Sequence, residues 1–497
     1  MKMTKRFIMM ALFVSLGVAF GASDQNAKIT KPLVASENPN YFKDGSGSMI
    51  ILNGSQTWNT LQDWGTNGSP QPLDFDAFVQ FLKAHGHNFT LLWRVEEPKF
   101  CGLPSTESNP PDFWVSPNPW LRTGPGKASD GGLKFDLTKF DQSYFDRLRR
   151  RTEQLRDAGI YAGVYLFTGE FLKSFRCPTD GYPFTGSNNV NGIDDGYKGG
   201  KRGTGSIAMK APNRITALQD AYVDKVIDTL NDLPNVLWVV SEESSTDSVW
   251  WNNHEISHIR AYEAKKRWQH PIGYGTISGL PDQAMYDSDA DFVKPQGRIS
   301  PTTSCGSGKP RCKVNINDSD HSYWEMWNQT PQQNRNYAWE NFMNGNQVLF
   351  MDPYTLYYPR QKRNLCESPK NGVCRAPDKR YENFRDNLGY IVTWSRRLNL
   401  AKVKPQGSLS STRLCLAHTG AEYLVYAPSG GSFTVDLSGV QASRKLSARW
   451  FNPSTGKETE GGPVTAGSKA ASFTAPFNGD AVLYIVNSAG HAVSTTH

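Results

Sequence analysis

The sequence predicts a (β/α)₈ TIM barrel followed by a small all-β sandwich. Three observations carry this. Eight short apolar runs of β type appear in order, helical periodicity separates most of them, and near Lys402 the pattern changes to short alternating strands without helices. At 497 residues the chain is too long for one ordinary core, so two folded units fit its length.

The eight runs are Met49–Asn53, Phe89–Val95, Tyr161–Phe167, Val236–Val240, Ile272–Ile277, Asp291–Lys294, Val314–Asn317 and Val348–Met351. Between them, Phe75–His85 has apolar residues at Phe75, Phe78, Val79 and Leu82 and an N-cap candidate in Asp74. Tyr144–Ala158 is amphipathic, Arg-rich and stopped by Gly159. Asn213–Leu233, Ile256–Arg267, Asn336–Met343 and Tyr381–Leu398 carry the same period. Strands alternating with helices imply parallel units. An open doubly wound sheet would need a Gly-rich phosphate loop after its first strand, and Asn53–Trp58 has none. The barrel is expected over residues 38–402 and the sandwich over 403–497. The sandwich strands are Leu414–Ala417, Glu422–Ala427, Ser432–Leu437, Ala448–Asn452, Ala471–Ala475 and Ala481–Val486, separated by turns such as Asn478-Gly479-Asp480.

Residues 1–22 read as a cleaved export signal. Lys2, Lys5 and Arg6 precede an apolar run from Phe7 to Phe20, then small residues follow. A secreted or periplasmic location follows, with no membrane association after cleavage. Removing the signal takes the net charge from +7 to +4, too weak a bias for nucleic acid. Export permits disulfides. Cys305–Cys312 and Cys366–Cys374 each flank a short polar loop, Cys101–Cys177 would join two neighbouring loops, and Cys415 remains as a buried thiol. No cysteine spacing matches a zinc site, and no cofactor is expected.

In such a barrel, chemistry sits where strands end. Those ends carry Trp58; Arg94, Glu96 and Glu97; Glu170; Glu242 and Glu243; Asp318, Asp320 and His321; and Asp352 and Tyr354. Rim carboxylates flanked by Trp58, Trp93, Trp250, Trp251, Trp324 and Trp327 suit a sugar, because aromatic faces stack on sugar rings and glycosidic cleavage needs two carboxyl groups.

Several stretches carry a resemblance: Tyr41–Gly47, Asn53–Asn59, Val236–Ser244, Asn317–His321 and Phe350–Tyr354. Together they resemble bacterial cellulase-like or apiosidase-like proteins of the large clan of retaining (β/α)₈ glycoside hydrolases, with a C-terminal sandwich of collagen-binding type. The resemblance implies a glycoside hydrolase acting on a poly- or oligosaccharide. Glu243 matches the clan's general acid/base, and Glu242 stands where the clan has Asn, a departure that leaves Glu242 open as the acid instead. The clan's nucleophile is a Glu ending the seventh strand; here Asp318 or Asp320 would be the second carboxylate, with retention and inversion both open. The expected substrate-binding residues are Glu242, Trp58, Arg94, Trp250, Trp251, His321, Trp324, Asp352 and Tyr354, with Glu325 an outside candidate for the second carboxylate.

Two other readings compete. A barrel that binds glycan without cleaving it is one. The other is a zinc peptidase, because His254-Glu255-Ile256-Ser257-His258 is HExxH. No third ligand stands at a familiar spacing apart from Glu263, and the segment is already accounted for as the fourth barrel helix, with Ile256 and Ile259 facing the sheet. No metal is therefore assigned. The sequence does not define the oligomeric state.

Overall fold

The computed structural model describes residues 28–101, 112–174, 176–197, 206–277, 280, 283–296, 312–319, 329–356 and 370–487. The expected export signal, Asp320, His321, Trp324, Glu325, Trp327, Cys305 and Cys366 lie outside them. Among the described residues no helix is long and apolar enough to cross a membrane.

Eight parallel strands form one sheet in chain order: Gly54–Gln56, Phe89–Leu92, Tyr161–Tyr165, Val236–Val239, Ile272–Gly275, Phe292–Lys294, Val314–Asp318 and Gln347–Met351. From the second to the eighth they pair in that order, and the eighth pairs with the first, which leaves the first and second strands at the two ends of the sheet. Asn88 N–H donates to Asn53 O (3.1 Å) and Thr90 Oγ1 to Ser55 O (2.8 Å), bringing the first and second strands together. Gly54 is required at this closure, because a Cβ there would run into the Phe89 carbonyl oxygen.

Alternation along each strand sorts the side chains. Leu91, Tyr161, Tyr165, Leu237, Val239, Phe292 and Ile316 fill the barrel interior. Ala162, Val164, Val236, Trp238 and Val293 face the helical layer. By the same parity Lys294 follows Phe292 inward, and Asp318 follows Val314 and Ile316.

One strand was misplaced in the sequence reading. Met49–Ile50 belongs to a three-stranded sheet with Val34–Ala35 and Phe42–Lys43, and the barrel begins at Gly54. The β-branched run was the stronger local signal, but Gly54-Ser55-Gln56 is the segment close enough to the neighbouring strands to pair. The helices occur near their expected places, although the one expected at Ile256 starts at Val249. Asp74 caps Phe75–Ala84 by accepting from Ala77 N–H (2.9 Å). A hairpin of Trp120–Lys127 and Leu133–Phe140 was not anticipated.

The sandwich has a six-stranded antiparallel sheet and the pair Ser432–Val435 with Ala471–Thr474. Its strand Lys457–Val464 was missed, since Gly461-Gly462-Pro463 reads as a turn. The sandwich packs on the barrel through a shared apolar cluster. Trp339 stacks on Tyr426 (5.9 Å between centroids), and Trp394 meets Phe451 and Tyr484 edge-on (5.6 Å each). Within it the buried Arg335 binds Asp480 (Nη2 to Oδ1, 2.6 Å; Nε to Oδ2, 2.9 Å). Cys101 and Cys177 are bridged, and Cys415 is a buried free thiol. Cys312 and Cys374 are also disulfide-bonded.

Candidate active site

The fourth strand stops at Val239, and the chain then leaves regular geometry. Glu243 adopts a left-handed backbone (φ 47°), a conformation that costs a non-glycine residue energy and concentrates at functional sites. This irregularity frees the two neighbouring glutamates from strict alternation. Both are buried, and they find different partners.

Glu242 joins an ion cluster at the mouth of the barrel interior. The Lys294 ammonium donates to Glu242 Oε2, to Asp318 Oδ2 (2.8 Å) and to the Tyr165 hydroxyl (2.5 Å). Gln296 Nε2 donates to the other Glu242 oxygen (2.9 Å). Lys294 and Asp318 are wholly shielded from solvent. Burial works against the ammonium, but Asp318 and Glu242 more than offset it, and its pKa stands above the ordinary lysine value. Burial pushes Glu242 up to about 7, against the pull of Lys294.

Glu243 turns to Glu170, at the start of the short helix Gly169–Ser174 after the third strand. The neighbouring Glu243 carboxyl disfavours ionisation of Glu170. Burial, then this neighbour, raise Glu170 to about 7, although Lys173 forms an ion pair with it. The Glu170 backbone N–H also donates to Glu242 O (3.1 Å), tying the two rim loops together. The site thus holds two neighbouring acids, one of them raised to about 7, beside two carboxylates held on one cation. It can both supply a proton and present a negative charge.

Other expected residues have different surroundings. Arg94 is fully buried in the layer between sheet and helices, not at the mouth. It donates to Leu166 O and lies against the rings of Tyr222 (4.1 Å), Phe167 (5.3 Å) and Trp120 (5.4 Å). The ring faces offset part of the cost of burying the guanidinium. Trp251 is also buried, edge-on to Phe167 (5.1 Å), with its N–H given to Gln219. Asp352 is held bidentately by the buried Arg385 (2.7 Å to each oxygen). Tyr354 packs edge-on against Phe78 (5.0 Å). All four are buried and engaged in these packing or ion-pair contacts. Trp58, stacked near Trp64 (6.0 Å), and Trp250 are only partly buried.

Lys294, Tyr165, Gln296 and Lys173 were not singled out from the sequence. A lysine ending a strand whose neighbours fill the barrel interior was a usable signal, since an inward lysine needs carboxylate partners. The pairing of Glu170 with Glu243 left no such trace.

Together these features define a barrel of glycoside hydrolase fold with acids at its C-terminal rim. Residues 406–485 match a family model described as "Putative collagen-binding domain of a collagenase", and residues 107–293 one described as "Domain of unknown function (DUF6298)". A solved glycoside hydrolase aligns over 93% of this chain and 98% of its own, at 14% identity and a TM-score of 0.59. A glycoside hydrolase family 5 structure from Bacteroides vulgatus aligns over 94% and 95%, at 16% identity and a TM-score of 0.59. A comparison with curated proteins finds no match.

Proposed function

We propose that the protein is an exported glycoside hydrolase. Its proton donor is Glu243, which stands beside Glu170, and its ionised carboxylate is Asp318, held by Lys294. The observation that carries this is that Glu243 and Glu170 stand directly beside the cluster in which Lys294 binds Glu242 and Asp318. Glycosidic cleavage needs one carboxyl group protonated and one ionised across the bond. Neighbouring acids with opposite protonation provide that asymmetry without a cofactor. Glu242, in the place of the clan's Asn, helps Lys294 fix the charged side. Among the described residues, the partly exposed Trp58 offers an aromatic face to a sugar.

The test is release of reducing sugar from a panel of plant and microbial polysaccharides by the full chain and by Glu243→Gln. The variant should fold and lose at least about a hundredfold in turnover, the low end of what a positioned acid contributes. A fully active Glu243→Gln sinks the assignment. Export is checked by the N-terminal mass of the protein recovered outside the cytoplasm, which should lack residues 1–22 or a close equivalent.

One observation favours a second reading. Lys294 holds both Glu242 and Asp318 in buried ion pairs, as a barrel that binds glycan without cleaving it would tolerate. Saturable glycan binding with no product in the same panel would select that reading.

A further inference from the structure

The rim chemistry leaves the HExxH segment unused. It lies on helix Val249–Glu263, which packs against helix Arg214–Leu230 on the outside of the barrel. His254 Nε2 is 2.9 Å from Asp220 Oδ1. His258 presents Nδ1 to the same oxygen at 3.8 Å, while its Nε2 meets Asp224 Oδ1 at 2.8 Å. Glu255 is rotated about 100° from His254 around the helix and turned into the helical interface. It is fully buried, and neither of its carboxylate oxygens has a hydrogen-bond partner. The Trp251 indole beside it gives its N–H to Gln219 Oε1 (3.2 Å). One oxygen each from Glu255 and Asp220 and one ring nitrogen of His254 lie within 4.8 Å of one another.

A buried carboxyl group with no hydrogen-bond partner beside a second acid is stabilised either by a proton or by a cation that joins the two. We propose that Asp220, His254 and Glu255 bind a divalent transition metal of the zinc class, with His258 Nδ1 supplying the fourth position. Mixed imidazole and carboxylate donors select zinc-like ions over calcium or magnesium, which prefer all-oxygen shells. Asp224 on His258 Nε2 is the outer carboxylate that orients a metal-bound imidazole and directs its other nitrogen at the ion. The arrangement differs from that of HExxH peptidases. There both histidines bind from one helix and the glutamate remains a free base. Here the glutamate is a ligand and the facing helix contributes Asp220. Four protein ligands close the shell, so the metal staples two outer helices and does not activate water.

The test uses the full chain, purified without chelator, then stripped with EDTA and titrated with ZnCl₂, CaCl₂ or MgCl₂. Elemental analysis should find close to one zinc per chain before stripping. Zinc should raise the thermal midpoint of the stripped protein, and Co²⁺ should give the visible absorption of a tetrahedral site. Both responses should vanish in Glu255→Gln and in His254→Ala. An unmoved midpoint in the wild type, a response to calcium or magnesium alone, or an equal zinc response in both variants would overturn the proposal. None of these readouts depends on glycan turnover.

Discussion

The Lys294 ammonium stands 2.8 Å from Asp318 Oδ2 and donates on its other side to Glu242, all three groups being out of contact with solvent. One cation therefore neutralises two acids from the fourth and seventh strands. Removing one partner of a buried ion pair leaves the other uncompensated, at about 3–5 kcal/mol. Lys294→Met should lower the unfolding free energy by about that amount. Guanidinium denaturation of both proteins measures it, and a loss under about 1 kcal/mol would show that the acids are neutralised in another way.

The proposed acid Glu243 stands beside Glu170, so protonation of the pair should set the alkaline limit of activity. With Glu170 raised to about 7, the turnover profile should fall on its alkaline side near that pH. Glu170→Gln removes the partner's charge and should shift that limb by a unit or more, with a smaller effect on peak turnover. A pH–rate profile of kcat for the two proteins decides this. An alkaline limb that stays in place would separate Glu170 from the acid.

Stability should fall on the alkaline side as well. Glu170 and Glu242 have folded pKa values near 7, above the 4.5 of a free glutamate. The folded state therefore binds more protons than the unfolded chain between those values. Their contribution is fully present below about pH 4.5 and is lost as pH rises through about 7. Glu170→Gln should flatten the decline across that window, read from urea midpoints at several pH values.

The backbone of Glu243 gives a separate prediction. At φ 47° a side chain costs roughly 1 kcal/mol relative to glycine. Glu243→Gly should therefore be more stable than Glu243→Ala by about that margin, while both lack turnover. Equal midpoints for the two would mean that the loop relaxes once the carboxylate is gone.

At the domain junction, Arg335 and Asp480 are buried together, with the Tyr426 hydroxyl 3.1 Å from Asp480 Oδ2. Asp480→Ala removes the guanidinium's charged partner, leaving it only Asn383 Oδ1 (2.7 Å), and should uncouple the sandwich from the barrel. A calorimetric scan should then resolve two transitions where the parent shows one.

Much of the architecture was legible in the chain. Seven of the eight barrel strands were read within a few residues, because a strand covered on both faces announces itself as an unbroken apolar run. The first did not, since Gly54-Ser55-Gln56 has no apolar signal and pairs only through the close approach its glycine permits. Acids at strand ends were equally visible. Arg94 and Trp251 show the limit of that reasoning. Both follow or lie near a strand end, yet parity and the helical layer bury them.

The sequence by itself determined the barrel, its strand order and the sandwich behind it, because apolar periodicity and turn residues act locally. It also determined that Glu242 and Glu243 would stand at the mouth. Only the tertiary structure decided that these neighbours would part, Glu242 to Lys294 and Asp318, Glu243 to Glu170. That choice depends on one left-handed residue and on the register of strands far apart in the chain, and no local pattern encodes either.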